Sequence, residues 1–77
     1  MNIEIITPDK KVFAGDANLV TLPGKDGSFQ VLNNHAALVA TLGKGDLVID
    51  HKQTFTIDGG TVEVLKNKIL VLAEAVL

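Results

Sequence analysis

Turn-forming residues interrupt this chain so often that no stretch between them is long enough for a helix packed on a core. They fall at Pro8-Asp9, Gly15-Asp16, Pro23-Gly24 through Asp26-Gly27, Asn33-Asn34, Gly43-Lys44-Gly45-Asp46, Asp50 to Gln53, Asp58-Gly59-Gly60 and Lys66-Asn67-Lys68. Glycine supplies positive φ, proline presets its own φ, and Asn and Asp side chains bond to nearby backbone, so each cluster marks a change of direction. With turns about 8 to 12 residues apart and β-branched segments between them, the pattern is that of an all-β sandwich or barrel.

The segments between the turns alternate with period two. Ile3 and Ile5 share one side of their strand, and the same holds for Phe29 with Val31, Leu47 with Ile49, Phe55 with Ile57, and Val62 with Val64. Each predicts a strand with one face on the core and one in water. Leu19-Val20-Thr21-Leu22 and Ile69-Leu70-Val71-Leu72 are apolar on both sides, so they are expected to be central strands or to be covered by a partner. Ala36 to Leu42 reads as extended, since the space between Asn34 and Gly43 is short for a helix. Asp58-Gly59-Gly60 is expected to form a tight hairpin. Ala73 to Leu77 is open to two readings, a strand end or the stub of a helix.

Seventy-seven residues make one domain with a thin core, since a chain this short buries only about 60% of the surface it exposes when unfolded. The net charge is −2, all seven basic residues are lysine, and Arg, Trp and Tyr are absent. A guanidinium fork to read guanine edges and aromatic platforms for single strands are therefore missing, which argues against nucleic-acid binding. The N-terminus has no basic region and Glu4 breaks its apolar run, unlike a secretory leader. The longest apolar run, Ile69 to Ala73, is too short to span a bilayer, so membrane association is expected only through a partner.

No catalytic or cofactor pattern survives inspection. Pro23 to Ser28 has the ingredients of a phosphate loop, but Lys25 follows the first glycine and a strand follows, where a P-loop needs the lysine after the second glycine and then a helix. His35 and His51 are the only histidines and lack partners at metal-ligand spacing, and no cysteine can help, so no metal is expected. Ser28 is the single serine and has no nucleophile-elbow context. Asp26, Asp46 and Asp58 sit in predicted turns, where aspartate is common for backbone reasons. The chain reads as non-enzymatic, without cofactors.

One ordered motif remains: Leu22-Pro-Gly-x-x-Gly-x-Phe-x-Val-Leu-x-Asn-His-Ala-x-Leu, followed by Leu42-x-x-Gly45, Gly59-Gly60-x-Val62-Glu63-Val64 and Ile69-x-Val71-Leu72-Ala73-Glu74. It resembles the epsilon subunits of F-type ATP synthases, and the resemblance covers the whole chain. Gln30 stands where the family often has Gly, Asn33 and Ala37 where it often has Pro, and Ser28 where an acidic residue is common.

The resemblance implies a flattened β-sandwich of two antiparallel sheets with about ten short strands. It implies a central-stalk rotor subunit, non-catalytic, that docks on the gamma subunit and the c-ring and couples rotation to ATP synthesis. The complex would lie at the cytoplasmic face of the bacterial inner membrane, with this subunit peripheral. Lys25, Asp26, Gly27, Ser28 and Phe29 are expected to face the ring, and Thr7, His35 and Ala40 to face gamma. The family usually continues into a two-helix hairpin that inhibits hydrolysis and in some members binds ATP. The expectation here is a short form without it, and so without ATP binding. The alternative is a stand-alone sandwich or SH3-like module with a ligand site in the 23–35 loops.

Overall fold

The fold is organised by two long neighbouring strands that bend together. The computed structural model describes residues 1–77 and contains seven strands: β1 (Asn2–Ile6), β2 (Lys11–Asp16), β3 (Leu19–Gly24), β4 (Gly27–Leu32), β5 (Leu38–Ile49), β6 (Gln53–Leu65) and β7 (Lys68–Ala73). They form one sheet in the order β2-β1-β7-β6-β5-β3-β4. β1 and β7 pair in parallel, and every other neighbouring pair is antiparallel.

The ladder between β5 and β6 skips one position, passing from Leu42↔Gly60 to Lys44↔Asp58. Gly59 and Gly60 there have φ of 84° and 148°, values open to glycine and strained for other residues. The sheet folds over at this line. On one side, Leu38–Leu42 and Gly60–Leu65 join β7, β1 and β2 in a first layer. On the other, Gly45–Ile49 and Gln53–Asp58 join β3 and β4 in a second. Phe13 of β2 meets Phe55 of β6 with ring centroids 5.4 Å apart, tying the two layers together.

Alternation decides what fills the space between the layers. Ile3, Ile5, Val62, Val64, Ile69 and Val71 come from the first layer, and Val20, Leu22, Val31, Leu47, Ile49 and Ile57 from the second; all are buried. Burying each such side chain contributes about 1.5–3 kcal/mol. No polar or charged residue is buried with them.

Three expectations change. The two sheets of about ten short strands are one folded sheet of seven, because the glycines bend β5 and β6 without ending them. A count that divides β5 and β6 at their bend, and β3 where its ladder to β5 breaks, reaches ten. Asp58-Gly59-Gly60 is not a hairpin turn but the middle of β6. Gly43-Lys44-Gly45-Asp46 likewise lies inside β5. Glycine marks turns and bulges alike, and only the partner strand decides which.

The tight hairpin turns lie elsewhere. Asp50 and His51 have φ of 52° and 56°, and Lys66 and Asn67 have 50° and 61°. Positive φ at both central residues is the twist that matches two flanking strands. Pro23 sits in a strand paired on both sides, where its missing N–H would normally break a ladder. It falls where the β3–β5 pairing is interrupted, between Thr21 and Gly24. The C-terminal residues are extended, not helical: Asp58 N donates to Ala75 O, Leu77 N to Thr56 O, and Val76 bridges Ile57.

Candidate docking surfaces

The sequence-predicted residues lie in three places. Lys25 and Asp26 form the tip of the β3–β4 hairpin, closed by the pair Gly24↔Gly27. Lys25 N donates to Thr41 O at 2.9 Å, docking the tip onto β5. Lys25, Asp26, Gly27 and Ser28 are exposed and contiguous, while the Phe29 ring is partly buried against the core. With Ala40 and Thr41 they line an open concavity of about 540 Å³. Concavity at this loop is what a ligand-binding module needs. Its walls, however, are glycine backbone, one lysine, one aspartate, two hydroxyls, one alanine and a single aromatic ring, which suits polar surface contact better than capture of an apolar ligand.

The second place is the turn that carries His35. Asn34 has φ of 63°, and its N–H donates to Asn67 Oδ1 at 2.8 Å, tying the turn to the β6–β7 hairpin. His35 N donates to Leu32 O at 3.1 Å, and its Nδ1 lies 2.8 Å from Ala36 O, an arrangement that fits a proton on Nδ1. Asn33 Oδ1 accepts from the Met1 amine at 2.7 Å, and Asn33 Nδ2 donates to Asn18 Oδ1 at 3.2 Å. Side-chain amides of Asn33 and Asn67 thus hold a turn in which Asn33 and Ala37 stand where the resemblance implies prolines.

Thr7 is the third place. It follows the far end of β1, where its N–H and its Oγ1 both donate to Lys10 O, at 2.9 and 3.2 Å. The structure does not bring Thr7, His35 and Ala40 into one cluster. Ala40 packs toward the core, and its neighbours Val39 and Thr41 point outward.

What these residues border is a surface that residue-by-residue reading missed. Register places Glu4, Leu70, Glu63 and Val39 in one row across the outer side of the first layer; Ile6, Leu72, Thr61 and Thr41 lie in the next. Lys68 and Leu65 pair in a third row. Val39, Leu65 and Leu72 are 75%, 50% and 48% exposed. The outer side of the second layer is more polar, with Thr21, Gln30, Asp46, Thr54 and Thr56 beside half-buried Leu19 and Val48 and exposed Leu32. Thr7 lies at one end of the apolar face beside Leu72, and the His35 turn is anchored at the other through Asn67. The signal in the sequence was the doubly apolar segment Ile69–Leu72. Its inner residues, Ile69 and Val71, are central core, while Leu72 is exposed and Leu70 half-buried on the outer side.

Charge on this face comes from Glu63, from Lys68 and from Glu4, which is paired with two lysines. Its carboxylate accepts from Lys11 Nζ at 2.9 Å and Lys68 Nζ at 3.1 Å. These bonds, to Lys11 first and then Lys68, hold its pKa below the ordinary value of 4.5. Asp50 is held below its ordinary 3.8 by the backbone N–H groups of Leu19 and then Asn18, at 2.9 and 2.8 Å. Because both folded-state values are depressed, both groups add stability above about pH 4, and that stability is lost as pH falls through the lowered values. Thermal melts from pH 7 to pH 2 should therefore show a falling acid limb, and Glu4→Gln should flatten it. An unchanged limb would mean that the two ion pairs contribute nothing.

These observations define a class: a small folded-sheet β-sandwich whose contact features are one apolar outer face and two polar turns. The chain belongs to the ATP synthase delta/epsilon chain β-sandwich domain family, whose model matches residues 1–77. It is 38% identical to the ATP synthase epsilon chain of Salinibacter ruber, over 99% of this chain and 59% of that protein. It is 42% identical to the epsilon chain of Chlorobaculum tepidum, over 96% of this chain and 89% of that protein. The chain thus spans less than two thirds of the first relative and most of the second. Its fold matches a chain in the central stalk/c-ring structure of the Tetrahymena thermophila mitochondrial ATP synthase with a TM-score of 0.82 at 20% identity, over 99% of this chain and 64% of that one.

Proposed function

We propose that this domain is a non-catalytic rotor component of the central stalk of an F-type ATP synthase. In this reading the apolar outer face of the first layer, between Thr7 and the His35 turn, docks on the gamma subunit. The hairpin tip Lys25–Phe29 meets the polar loops of the c-ring. The domain couples rotation to ATP synthesis through these contacts, peripheral to the membrane at the cytoplasmic face of the bacterial inner membrane. All of this uses surfaces within residues 1–77, with no bound nucleotide, metal or cofactor.

The single observation that carries the reading is the asymmetry of the two outer faces in a chain of this family. Val39, Leu65, Leu70 and Leu72 gather on one side, while threonine and glutamine predominate on the other, where Leu32 at the edge is the one large apolar side chain that is mostly exposed. A patch of that kind, bordered by Lys66 and Lys68 and crossed by Glu63, has the make-up of an interaction surface. The interior is close-packed and poorly compressible, as transmitting torque requires.

The test is titration of gamma with the domain and with its Leu72→Ser variant. Leu72 is half exposed, so its loss should change stability by no more than about 0.5 kcal/mol. Binding to gamma should weaken about tenfold or more, the effect of truncating a large apolar side chain that an interface buries. Absence of a complex at micromolar concentration would sink the rotor reading. Normal binding by Leu72→Ser would sink only the choice of face.

A further inference from the structure

Of the sheet's two edge strands, only β4 is unguarded. β2 begins at Lys11, ends at Asp16, pairs with β1 across a register shift at Ile5/Ile6, and packs Phe13 on Phe55. Charges, bulges and cover of this kind keep edges from pairing with other chains. β4, Gly27-Ser-Phe-Gln-Val-Leu32, has no charged residue and no proline. Beyond its pairing with β3, the one backbone bond that reaches it is from His35 N to Leu32 O.

The direction of its free groups follows from Pro23. Pro23 pairs with Ser28, and without an N–H it cannot take part in the two-bond exchange of a hydrogen-bonded pair. Pro23↔Ser28 is therefore a non-bonded pair. By alternation Ser28, Gln30 and Leu32 direct their N–H and C=O groups away from β3, toward the open edge; of these only the Leu32 carbonyl already accepts a backbone bond, from His35 N.

We propose that β4 is a strand-addition edge, and that the strand it accepts is β4 of a second copy of this chain, antiparallel about a two-fold axis at Gln30. In that register Gln30 lies opposite its own counterpart, Phe29 opposite Val31 and Ser28 opposite Leu32. Phe29 and Val31 are on the core side, so the apolar row continues across the seam. Leu32, 53% exposed in the single copy, gains cover. No like charges meet, because the strand carries none. The contact is isologous and closes at two copies. Six residues give a seam about 20 Å long, small against the roughly 1,000 Å² that a stable interface buries, so the dimer dissociates on dilution. The argument needs only the edge and sequence of β4 and stands apart from the rotor reading. If both hold, the dimer and the ring-docked state exclude each other, since Ser28 and Phe29 would lie in the seam.

Sedimentation equilibrium of the chain from about 10 µM to about 1 mM tests this, over the range where weak pairs assemble. The expected result is a monomer–dimer equilibrium that Gln30→Lys abolishes by placing like charges opposite each other. Thr54→Lys, equally exposed on the polar face but off the edge, should dimerise as the parent does. The chain has no cysteine, so Gln30→Cys should form an intermolecular disulfide on oxidation that Thr54→Cys does not. A parent chain monomeric throughout, or a Gln30→Lys variant that dimerises normally, overturns the proposal. So does a parent that stays monomeric alone while a segment of another subunit binds it and fails to bind Gln30→Lys.

Discussion

Gly60→Ala is expected to lower stability by about 2–6 kcal/mol, combining backbone strain with overpacking. Gly60 has φ of 148°, and a Cβ there would collide with the Leu72 carbonyl oxygen and lie 2.9 Å from the Ala73 Cα. Neither neighbour can yield, because both are backbone of β7 paired to β6. A domain of this length holds only about 4–12 kcal/mol in total, so the variant should unfold in mild urea or fail to fold. Gly27 provides the control. Its φ of 136° is in the same region, but a Cβ there meets nothing within 4 Å. Gly27→Ala should therefore lose only the conformational part, about 1–3 kcal/mol. Urea midpoints for the two variants separate the causes, and equal losses would show that the contact with β7 is unimportant.

Ile57→Ala is the second large effect, expected at about 2–5 kcal/mol from lost burial and the cavity left behind. Ile57 is wholly buried, pairs with Gly45 across the β5–β6 ladder and is bridged on its other side by Val76. With backbone on both flanks, the site has little room to collapse. Leu72, of nearly equal size, points outward, and its loss should scarcely register in the same urea titration. If Ile57→Ala is as mild as Leu72→Ser, the assignment of inner and outer faces along β6 is wrong.

The rotor reading and the edge reading use different parts of one sheet. The apolar face belongs to the first layer, the unguarded edge to the second, and the hairpin Lys25–Phe29 lies between the edge and the bend. A partner that covers the first layer leaves β4 free, while one that meets the hairpin does not.

Much of this was legible in the chain alone. Alternation at Ile3/Ile5, Leu47/Ile49 and Val62/Val64 named core residues, because in a strand the period of two leaves no choice of face once one residue is buried. The order of residues from Leu22 to Leu38 carried the family, and a turn within Pro23 to Gly27 followed from its proline and glycines. What local reading could not reach were properties of pairing. Gly43 and Gly59 have the same chemistry as turn glycines, and they bend strands here because β5 and β6 run on past them in register. Val39, Leu65, Leu70 and Leu72 are unremarkable singly in the sequence, and they become one apolar face when β5, β6 and β7 lie side by side. Sequence specifies which side of its own strand a residue takes. Which strands are neighbours, and therefore which outward side chains gather into a surface, is settled only when the sheet folds over its glycine line and buries one side of each layer.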